Sequence, residues 1–177
     1  MTSARQLRNL ALIGFMGTGK SSVGQFVAAQ LQFEFLDTDA LIESRTGRSI
    51  TRIFAEDGES AFRAMERALV VELAGALEKV ISTGGGLPVD PQNLAALKSS
   101  ALVVCLWASP ERIWERVRHQ SHRPLLQHPD PLAQIRRLLA EREPFYRAAD
   151  VLVNTELRSV REVGLQVLHH WKEATTP

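Results

Sequence analysis

The sequence has little cysteine, no long apolar run and almost no net charge, and each shortage excludes a class of protein. The single cysteine, Cys105, excludes an internal disulfide framework. No run approaches the roughly 20 apolar residues of a membrane span, and no apolar segment near the amino terminus resembles a signal peptide. Lysine and arginine number 21 against 20 aspartates and glutamates, so no overall charge favours nucleic acid. We therefore expect a soluble, cytoplasmic protein without a nucleic-acid or membrane partner.

The length of the chain and the setting of Cys105 indicate an ordinary folded core. A chain of 177 residues is long enough for one domain that buries most of the surface its unfolded form exposes. Cys105 lies within an apolar run at residues 101–107, where a thiol is more often a small core side chain than a nucleophile or metal ligand. A lone cysteine also fits a reducing, intracellular setting.

A glycine-rich segment after the first apolar run carries the strongest functional signal. Residues 14–21 read Gly-Phe-Met-Gly-Thr-Gly-Lys-Ser, the spacing of a phosphate-binding loop, between an expected strand at 9–13 and a helix that ends near residue 32. Glycines let backbone N–H groups surround a phosphate, and the helix amino terminus adds positive charge. Lys20, expected to be an exposed loop residue, would contact the β- and γ-phosphates, and Ser21 would ligate Mg²⁺. The alternative is a glycine turn followed by Lys-Ser through chance.

Strands and helices alternate along the chain, which is typical of a parallel sheet covered by helices. With the phosphate loop, this order predicts a three-layer α/β/α fold of the P-loop kinase type, with a central five-stranded parallel sheet, in a single domain over residues 1–177. A long helix with one apolar face is expected from Ser60 to Leu77. The segment at about 119–131 has three histidines and three prolines without periodicity, and we expect a mobile lid there. The expected strands are 9–13, 33–36, 80–83, 101–107 and 151–153.

Two aspartates follow the second expected strand. Asp37 and Asp39 are two residues apart on a segment that we expect to be extended, so both side chains would point to the same side. An open α/β sheet binds its ligands at the carboxyl ends of its strands. One carboxylate is therefore expected to hold Mg²⁺ through water, and the other to accept a hydrogen bond from the hydroxyl that attacks the γ-phosphate. The alternative for each is a helix N-cap.

Three arginines are candidates to meet phosphate or carboxylate charge. Phosphoryl transfer requires cations near the phosphate oxygens, and a substrate carboxylate suits bidentate guanidinium partners. Arg63 lies between Glu59 and Glu66 on an expected helix, where a surface ion pair is the simpler interpretation. Arg123 lies in the expected lid, with a solvated loop charge as the alternative. Arg142 is one of several cations on a helix, where a single arginine commonly faces solvent.

Together with other stretches, these residues resemble the shikimate kinase family. The matches occur in the family's order along nearly the whole chain, which makes the combination far more specific than the phosphate loop alone. The matching stretches are residues 14–24, Asp37-Thr-Asp39, Ile53-Phe54, Gly58-Glu59, Phe62-Arg63-Ala-Met-Glu66, Thr83-Gly-Gly-Gly86, Arg123-Pro-Leu-Leu126 and Arg142-Glu-Pro-Phe-Tyr146 with Ala149-Asp150.

The resemblance implies a small monomeric kinase that transfers the γ-phosphate of ATP to the 3-hydroxyl of shikimate in the chorismate pathway, with Mg²⁺ as cofactor. It also implies that Lys20, Asp39 and Arg123 are catalytic, with Arg123 reaching the phosphates from the lid. The shikimate site would consist of Asp39, Arg63, Gly85 and Arg142, a set that is complementary to a small carboxylate with three hydroxyls. The implied phosphate-binding residues are Gly17, Thr18, Gly19, Lys20, Ser21, Ser22 and Arg123, and the implied Mg²⁺ ligands are Ser21 and Asp37.

The adenine end departs from the family pattern. The family often has an arginine and a proline after the last strand, whereas Val160 stands where the proline is expected. Arg158 is a candidate for the arginine role and for cofactor binding. Arg118, before the lid, is a candidate for stacking on the base.

Other functions share part of this pattern. A gluconate kinase or a nucleoside monophosphate kinase would have the same loop but a different acceptor pocket. A kinase-like protein that binds nucleotide or a partner without turnover is a further alternative, which the joint presence of the candidate residues disfavours. A metal site is disfavoured because the histidine pairs lack further ligands at recognisable spacing. Those pairs are His119 with His122 and His169 with His170.

Overall fold

The protein is built on a sheet of five parallel strands, in the order β2-β3-β1-β4-β5. The structure is a computed structural model that describes residues 5–119 and 128–176. The strands are β1 (Asn9–Ile13), β2 (Glu34–Asp37), β3 (Lys79–Ser82), β4 (Ala101–Trp107) and β5 (Val151–Asn154). The helices are α1 (Lys20–Leu31), α2 (Thr38–Thr46), α3 (Ile50–Glu56), α4 (Gly58–Ala74), α5 (Pro91–Ser100), α6 (Pro110–Val117), α7 (Pro131–Arg147) and α8 (Val160–Thr175), with a 3₁₀ turn at Leu87–Val89.

Helices cover both faces of the sheet, which confirms the three-layer α/β/α fold. Successive side chains of a strand point to opposite faces. In β1, Leu10 and Leu12 therefore pack in one core with apolar side chains of α1 and α8, whereas Ala11 and Ile13 pack in the other core with those of α4 and α5. Since neither face meets solvent, the central strands are mostly apolar, with the buried polar residues Asn9 and Ser82 at their ends. This burial explains the continuous apolar runs that predicted the strands.

The carboxyl end of β1 is the point where the order of the sheet reverses. β1 pairs with β3 on one side and with β4 on the other, and the chain fills the β3 side before the β4 side. In an open α/β sheet such a switch point is where ligands bind. The phosphate loop follows β1 directly, so the topology places it at this point.

Some element boundaries differ from the expected ones. α4 ends at Ala74, because the chain turns at Gly75, whose N–H donates to the carbonyl of Glu72, and Leu77 is 54% exposed rather than part of the apolar face. Residues 120–127 of the expected lid lie outside the described residues. Within the described ranges, no helix has the length and apolar character needed to cross a membrane.

Cys105 is a core residue, as the sequence indicated. It lies in β4 with no exposed surface. Burial raises the pKa of its thiol to about 12, and the nearby charge of Lys20 only partly opposes this effect. The thiol is therefore protonated at neutral pH.

Asp150 joins the amino-terminal segment to the sheet. Its carboxylate accepts two hydrogen bonds from the Arg5 guanidinium (3.1 and 2.6 Å) and one from the Val103 N–H (2.9 Å), and Lys98 Nζ lies 3.1 Å away. Burial by itself would raise the pKa of Asp150, but these donors outweigh it and hold the pKa below its ordinary value. Asp150 therefore stabilises the fold as an anion.

We expect Asp150→Asn to lower the free energy of unfolding at pH 7 by about 1 kcal/mol, because the charged acceptor is lost from a partly solvated cluster. The pKa of Asp150 is depressed in the folded state, so the contribution of its charge is full above the unfolded pKa of about 3.9 and is lost as the pH falls through the folded pKa. Urea unfolding at pH 7 and at pH 3 should therefore give a smaller difference between variant and wild type at the lower pH. An equal difference at both values would show that the charge is not responsible.

Candidate active site

The phosphate loop needs glycine for steric reasons within the protein. Gly14, Gly17 and Gly19 have φ values of 133°, 74° and 94°, which other residues rarely adopt. A Cβ atom on Gly14 would lie 2.2 Å from the backbone carbonyl oxygen of Leu106, and one on Gly17 would lie 2.6 Å from a methyl carbon of Val117. Gly19 is the N-cap of α1, so the loop ends at a helix amino terminus, which favours anions.

Lys20 is buried inside the loop. The residue is 9% exposed, and Nζ donates hydrogen bonds to the carbonyls of Gly14 (2.9 Å) and Phe15 (2.8 Å). The expectation of an exposed lysine was therefore wrong, because the loop curves around its ammonium group. The Thr18 hydroxyl donates to the same Phe15 carbonyl at 2.8 Å, which links the two turns of the loop.

Three side-chain oxygens meet at the start of α1. The Ser21 hydroxyl donates to Asp37 Oδ2 at 3.0 Å, and the Ser82 hydroxyl lies 3.4 Å from Ser21 Oγ. Hydroxyl and carboxylate oxygens are the ligands that Mg²⁺ prefers, usually together with water and substrate phosphates. The residues present therefore fit a magnesium ion beside the phosphate loop.

Asp37 and Asp39 do not share an extended segment, and that expectation was wrong. Asp37 ends β2 and caps α2, since its Oδ1 accepts the N–H groups of Asp39 (3.1 Å) and Ala40 (3.3 Å). The N-cap alternative is therefore correct for Asp37, yet its other carboxylate oxygen still reaches Ser21. Asp39 lies in the first turn of α2. The physical reason is that Asp37 acts as an N-cap, so the strand ends there, whereas the expectation required an extended backbone as far as Asp39.

The three glycines after β3 are there for different reasons. A Cβ atom on Gly84 would lie 2.5 Å from Asp39 Oδ1, and one on Gly86 would lie 2.7 Å from Arg63 Nη1. Glycine at these two positions therefore makes room for the side chains of Asp39 and Arg63. A Cβ atom on Gly85 would meet its nearest neighbour, the backbone nitrogen of Met16, at 3.5 Å, which is an ordinary contact. The described protein atoms therefore do not require glycine at position 85.

Arg63 is fixed by two carboxylates on its own helix, α4. Its Nη1 donates to Glu66 Oε2 at 2.6 Å and its Nη2 to Glu59 Oε1 at 2.9 Å. Both ion pairs that the spacing suggested are present, but only the one with Glu59 lies at the surface, because Glu66 is 1% exposed. Burial raises the pKa of Glu66 despite the opposing effect of Arg63, and Glu66 Oε1 has no hydrogen-bond partner in the described ranges. A buried carboxylate thus holds Arg63 against the glycine loop.

α7 contributes two further polar side chains to the glycine loop. Arg142 Nη1 lies 3.4 Å from the carbonyl oxygen of Gly85, and its guanidinium carbon lies 5.6 Å from the centre of the Phe15 ring. The Tyr146 hydroxyl donates to the same Gly85 carbonyl at 2.7 Å. The loop is therefore contacted by α4 at Gly86 and by α7 at Gly85.

Arg116 connects the phosphate loop to the segment after β5. Its guanidinium donates to the carbonyls of Gly17 (3.1 Å) and Thr155 and to the Thr155 hydroxyl (3.0 Å), and burial lowers its pKa. The two arginines proposed for the adenine have other contacts. Arg158 donates to Gln166 on α8, and Arg118 donates to the ring of His119 at 3.2 Å.

Two polar cavities contain these residues, and they adjoin at the glycine loop. The first has a volume of about 430 Å³, and its lining includes Lys20, Ser21, Asp37, Asp39, Gly85 and Arg116. The second has a volume of about 440 Å³, and its lining includes Glu59, Arg63, Gly86 and Arg142. A larger, mostly apolar cavity of about 620 Å³ lies beside Trp107, Leu152 and the Tyr146 ring, away from the phosphate loop. Anionic substrates need cations, so the two polar cavities form the candidate active site.

Comparison with known proteins identifies the family. A family model described as shikimate kinase matches residues 16–172. The shikimate kinase of Pelotomaculum thermopropionicum is 44% identical over 94% of this chain and 97% of its own length, and a shikimate kinase of Thermus thermophilus is 47% identical over 93% and 91%. The chain belongs to the shikimate kinase family. The structure of shikimate kinase from Acinetobacter baumannii in complex with shikimate matches with a TM-score of 0.91 at 35% identity, covering 98% of this chain and 97% of that chain.

Within this shikimate kinase fold, three residues to which the sequence analysis gave no role in the site contact the predicted ones. Glu66 holds Arg63, Tyr146 holds Gly85, and Arg116 holds Gly17. Glu66 and Tyr146 lie inside stretches that resemble the family, which was the available signal for them. Arg116 had no such signal, because it is one of four arginines between residues 112 and 123. Arg123 lies outside the described residues, and its role stays a prediction.

The steric role of glycine in the phosphate loop is testable against a matched site. We expect Gly14→Ala to lower the free energy of unfolding by about 3 kcal/mol or more, because its Cβ would collide with the backbone of β4. Gly47 also has a positive φ, of 65°, but a Cβ there would meet nothing within 4 Å. Gly47→Ala should therefore lower it by only about 1 kcal/mol. Urea unfolding compares the two variants, and equal losses would mean that the collision is relieved without strain.

Proposed function

We propose that this chain transfers the γ-phosphate of ATP to the 3-hydroxyl of shikimate, giving shikimate 3-phosphate and ADP, a step of aromatic amino acid biosynthesis. The observation that carries the choice of acceptor is the meeting of Arg63 and Arg142, from two different helices, in one cavity beside the phosphate loop. Two guanidinium groups suit a carboxylate. Shikimate and gluconate both have a carboxylate, whereas AMP has none. Membership of the shikimate kinase family supports shikimate over gluconate, as does the shikimate-bound structure of the Acinetobacter relative.

The phosphate loop is the proposed ATP site. Backbone and side-chain donors of Gly17, Thr18, Gly19 and Ser22 surround the phosphates, and the Lys20 ammonium exchanges its two carbonyl partners for phosphate oxygens. Ser21 and Asp37 hold Mg²⁺, which neutralises charge on the phosphate oxygens during transfer. Arg123 reaches the phosphates from the lid. We also assign the nucleotide end of the cavity to Arg116 and Arg158, with Arg116 supported by its contact with the loop at Gly17.

The proposed acceptor site extends across the glycine loop and takes residues from both polar cavities. We assign Asp39 to accept a hydrogen bond from the attacking hydroxyl, and its presence in one cavity with Lys20 and Ser21 supports this role. Arg63 and Arg142 bind the carboxylate at the opposite end of the ring. Since the described protein atoms do not require glycine at Gly85, we attribute that glycine to the close approach of the substrate ring.

The remaining expectations complete the proposal. The enzyme works as a single-domain monomer in the cytoplasm, on small molecules alone. A net charge of +1 supports the absence of a nucleic-acid or membrane partner, because no overall field attracts either surface.

Purified protein with ATP and Mg²⁺ is expected to release ADP only when shikimate is present. Alternative acceptors test the arginine-lined cavity directly, so a coupled assay of ADP release should compare shikimate with quinate, gluconate and AMP. Turnover with gluconate or AMP but not with shikimate would overturn the proposed function.

The three arginines should separate kinetically. Arg63→Ala and Arg142→Ala are expected to raise the KM for shikimate and leave the KM for ATP unchanged, because both side chains bind the ground state as well as the transition state. Arg123→Ala should mainly lower kcat, by about 10²-fold, because its charge meets the phosphoryl group only in the closed complex. Arg45→Ala removes an exposed ion pair with Glu72 and serves as the control.

Calorimetric titration of shikimate into each variant, together with steady-state rates, measures these effects. Loss of shikimate binding in Arg123→Ala, with binding kept in Arg63→Ala, would show that the roles are reversed.

A further inference from the structure

We propose that Tyr146 is a positioning residue for shikimate: its hydroxyl holds the Gly85 carbonyl and thereby leaves the Arg142 guanidinium available for the substrate carboxylate. This inference rests on the proposed function, because it takes Arg142 as a shikimate ligand. Tyr146 would affect shikimate binding through the position of Arg142 and not through contact with the substrate.

The carbonyls of the glycine loop are satisfied in two different ways. The Gly84 carbonyl accepts the N–H of Leu87 at 3.2 Å, and the Gly86 carbonyl accepts the N–H of Val89 at 3.1 Å, both within the 3₁₀ turn that follows. The Gly85 carbonyl instead accepts from side chains of α7. The middle of the loop is therefore held by α7 rather than by its own backbone.

The two donors to the Gly85 carbonyl are unequal. Tyr146 Oη lies 2.7 Å from the oxygen, the usual distance for a good O–H···O hydrogen bond, whereas Arg142 Nη1 lies 3.4 Å away, at the limit of a hydrogen bond. A part-buried carbonyl that loses its donor recruits another, because an unsatisfied acceptor is costly. Without the tyrosine hydroxyl, the nearest donor is the Arg142 guanidinium, which would move onto the carbonyl and away from the substrate.

Tyr146 is suited to act as a permanent donor. It is 6% exposed, and burial raises the pKa of its phenol to about 12, so the hydroxyl keeps its proton at neutral pH. Tyr146 and Arg142 are one turn apart on α7, which fixes the spacing of hydroxyl and guanidinium. On its other side the guanidinium lies 5.6 Å from the centre of the Phe15 ring, so the Gly85 carbonyl is the neighbouring acceptor toward which it can shift.

Steady-state kinetics of Tyr146→Phe test the proposal. We expect the KM for shikimate to rise about five- to tenfold, a change that corresponds to the net free energy of one good hydrogen bond. The KM for ATP and kcat should be nearly unchanged. Ser99→Ala removes a hydroxyl-to-carbonyl hydrogen bond of the same length, 2.7 Å, from the end of α5, and should change neither constant. In an Arg142→Gln background, loss of the Tyr146 hydroxyl should have little further effect on the KM for shikimate, because Arg142 carries the effect.

Three outcomes would overturn the inference while the proposed function stands. They are an unchanged KM for shikimate in a variant that melts like the wild type, equal rises in both KM values, and additive effects in the Arg142→Gln background. Wild-type protein that does not phosphorylate shikimate would instead overturn the proposed function.

A direct binding measurement keeps the inference testable if Tyr146→Phe does not fold. Tyr146 is the only tyrosine of the chain, so incorporation of 3-fluorotyrosine gives a single ¹⁹F resonance at this position. Shikimate without nucleotide should shift that resonance, because its carboxylate binds one helical turn away, and ATP without shikimate should leave it in place. A resonance that does not respond to saturating shikimate would overturn the proposal.

Discussion

The pairing of β3 between β1 and β2 is the constraint on which the active site depends. Ser82 lies opposite Leu12 in β1 and opposite Asp37 in β2, and the Thr83 N–H continues the ladder to the Leu12 carbonyl at 3.0 Å. A register slip of one residue would turn Ser82 to the other face and shift the glycine loop along the strand direction by roughly 3.3 Å. The pairing of the backbone strands therefore sets the distances between the phosphate loop, Asp37 and the glycine loop. Side-chain contacts act within these distances.

Within this backbone frame, two charged side chains of the site are held by their immediate neighbours. Arg63 takes its orientation from Glu66, which is buried, and Asp39 lies against a glycine that leaves it room. A buried carboxylate without its cation would be strongly destabilising, so Glu66 and Arg63 maintain each other. Because these side chains are already held in place, substrate binding does not have to order them.

The fold was predictable from the sequence because both faces of the sheet are buried. Each central strand then becomes an apolar run between turn residues, and β4 was located at residues 101–107, its observed bounds. The site was predictable where local spacing or family resemblance specified it, as in the phosphate loop. Asp37 and Asp39 were misjudged because a single cap decides whether the segment is strand or helix. The contacts of Tyr146 and Arg116 join residues 61 and 99 positions apart, and local spacing gives no signal for such pairs.

The burial of Cys105 has a practical consequence for studying this protein. A thiol with no exposed surface and a raised pKa reacts far more slowly with alkylating or disulfide reagents than an exposed one while the protein is folded. The chain therefore offers a natural background free of reactive thiols. A cysteine introduced on the surface will be the one site that a spin label or fluorophore modifies, and two such cysteines will report a single distance between helix and loop.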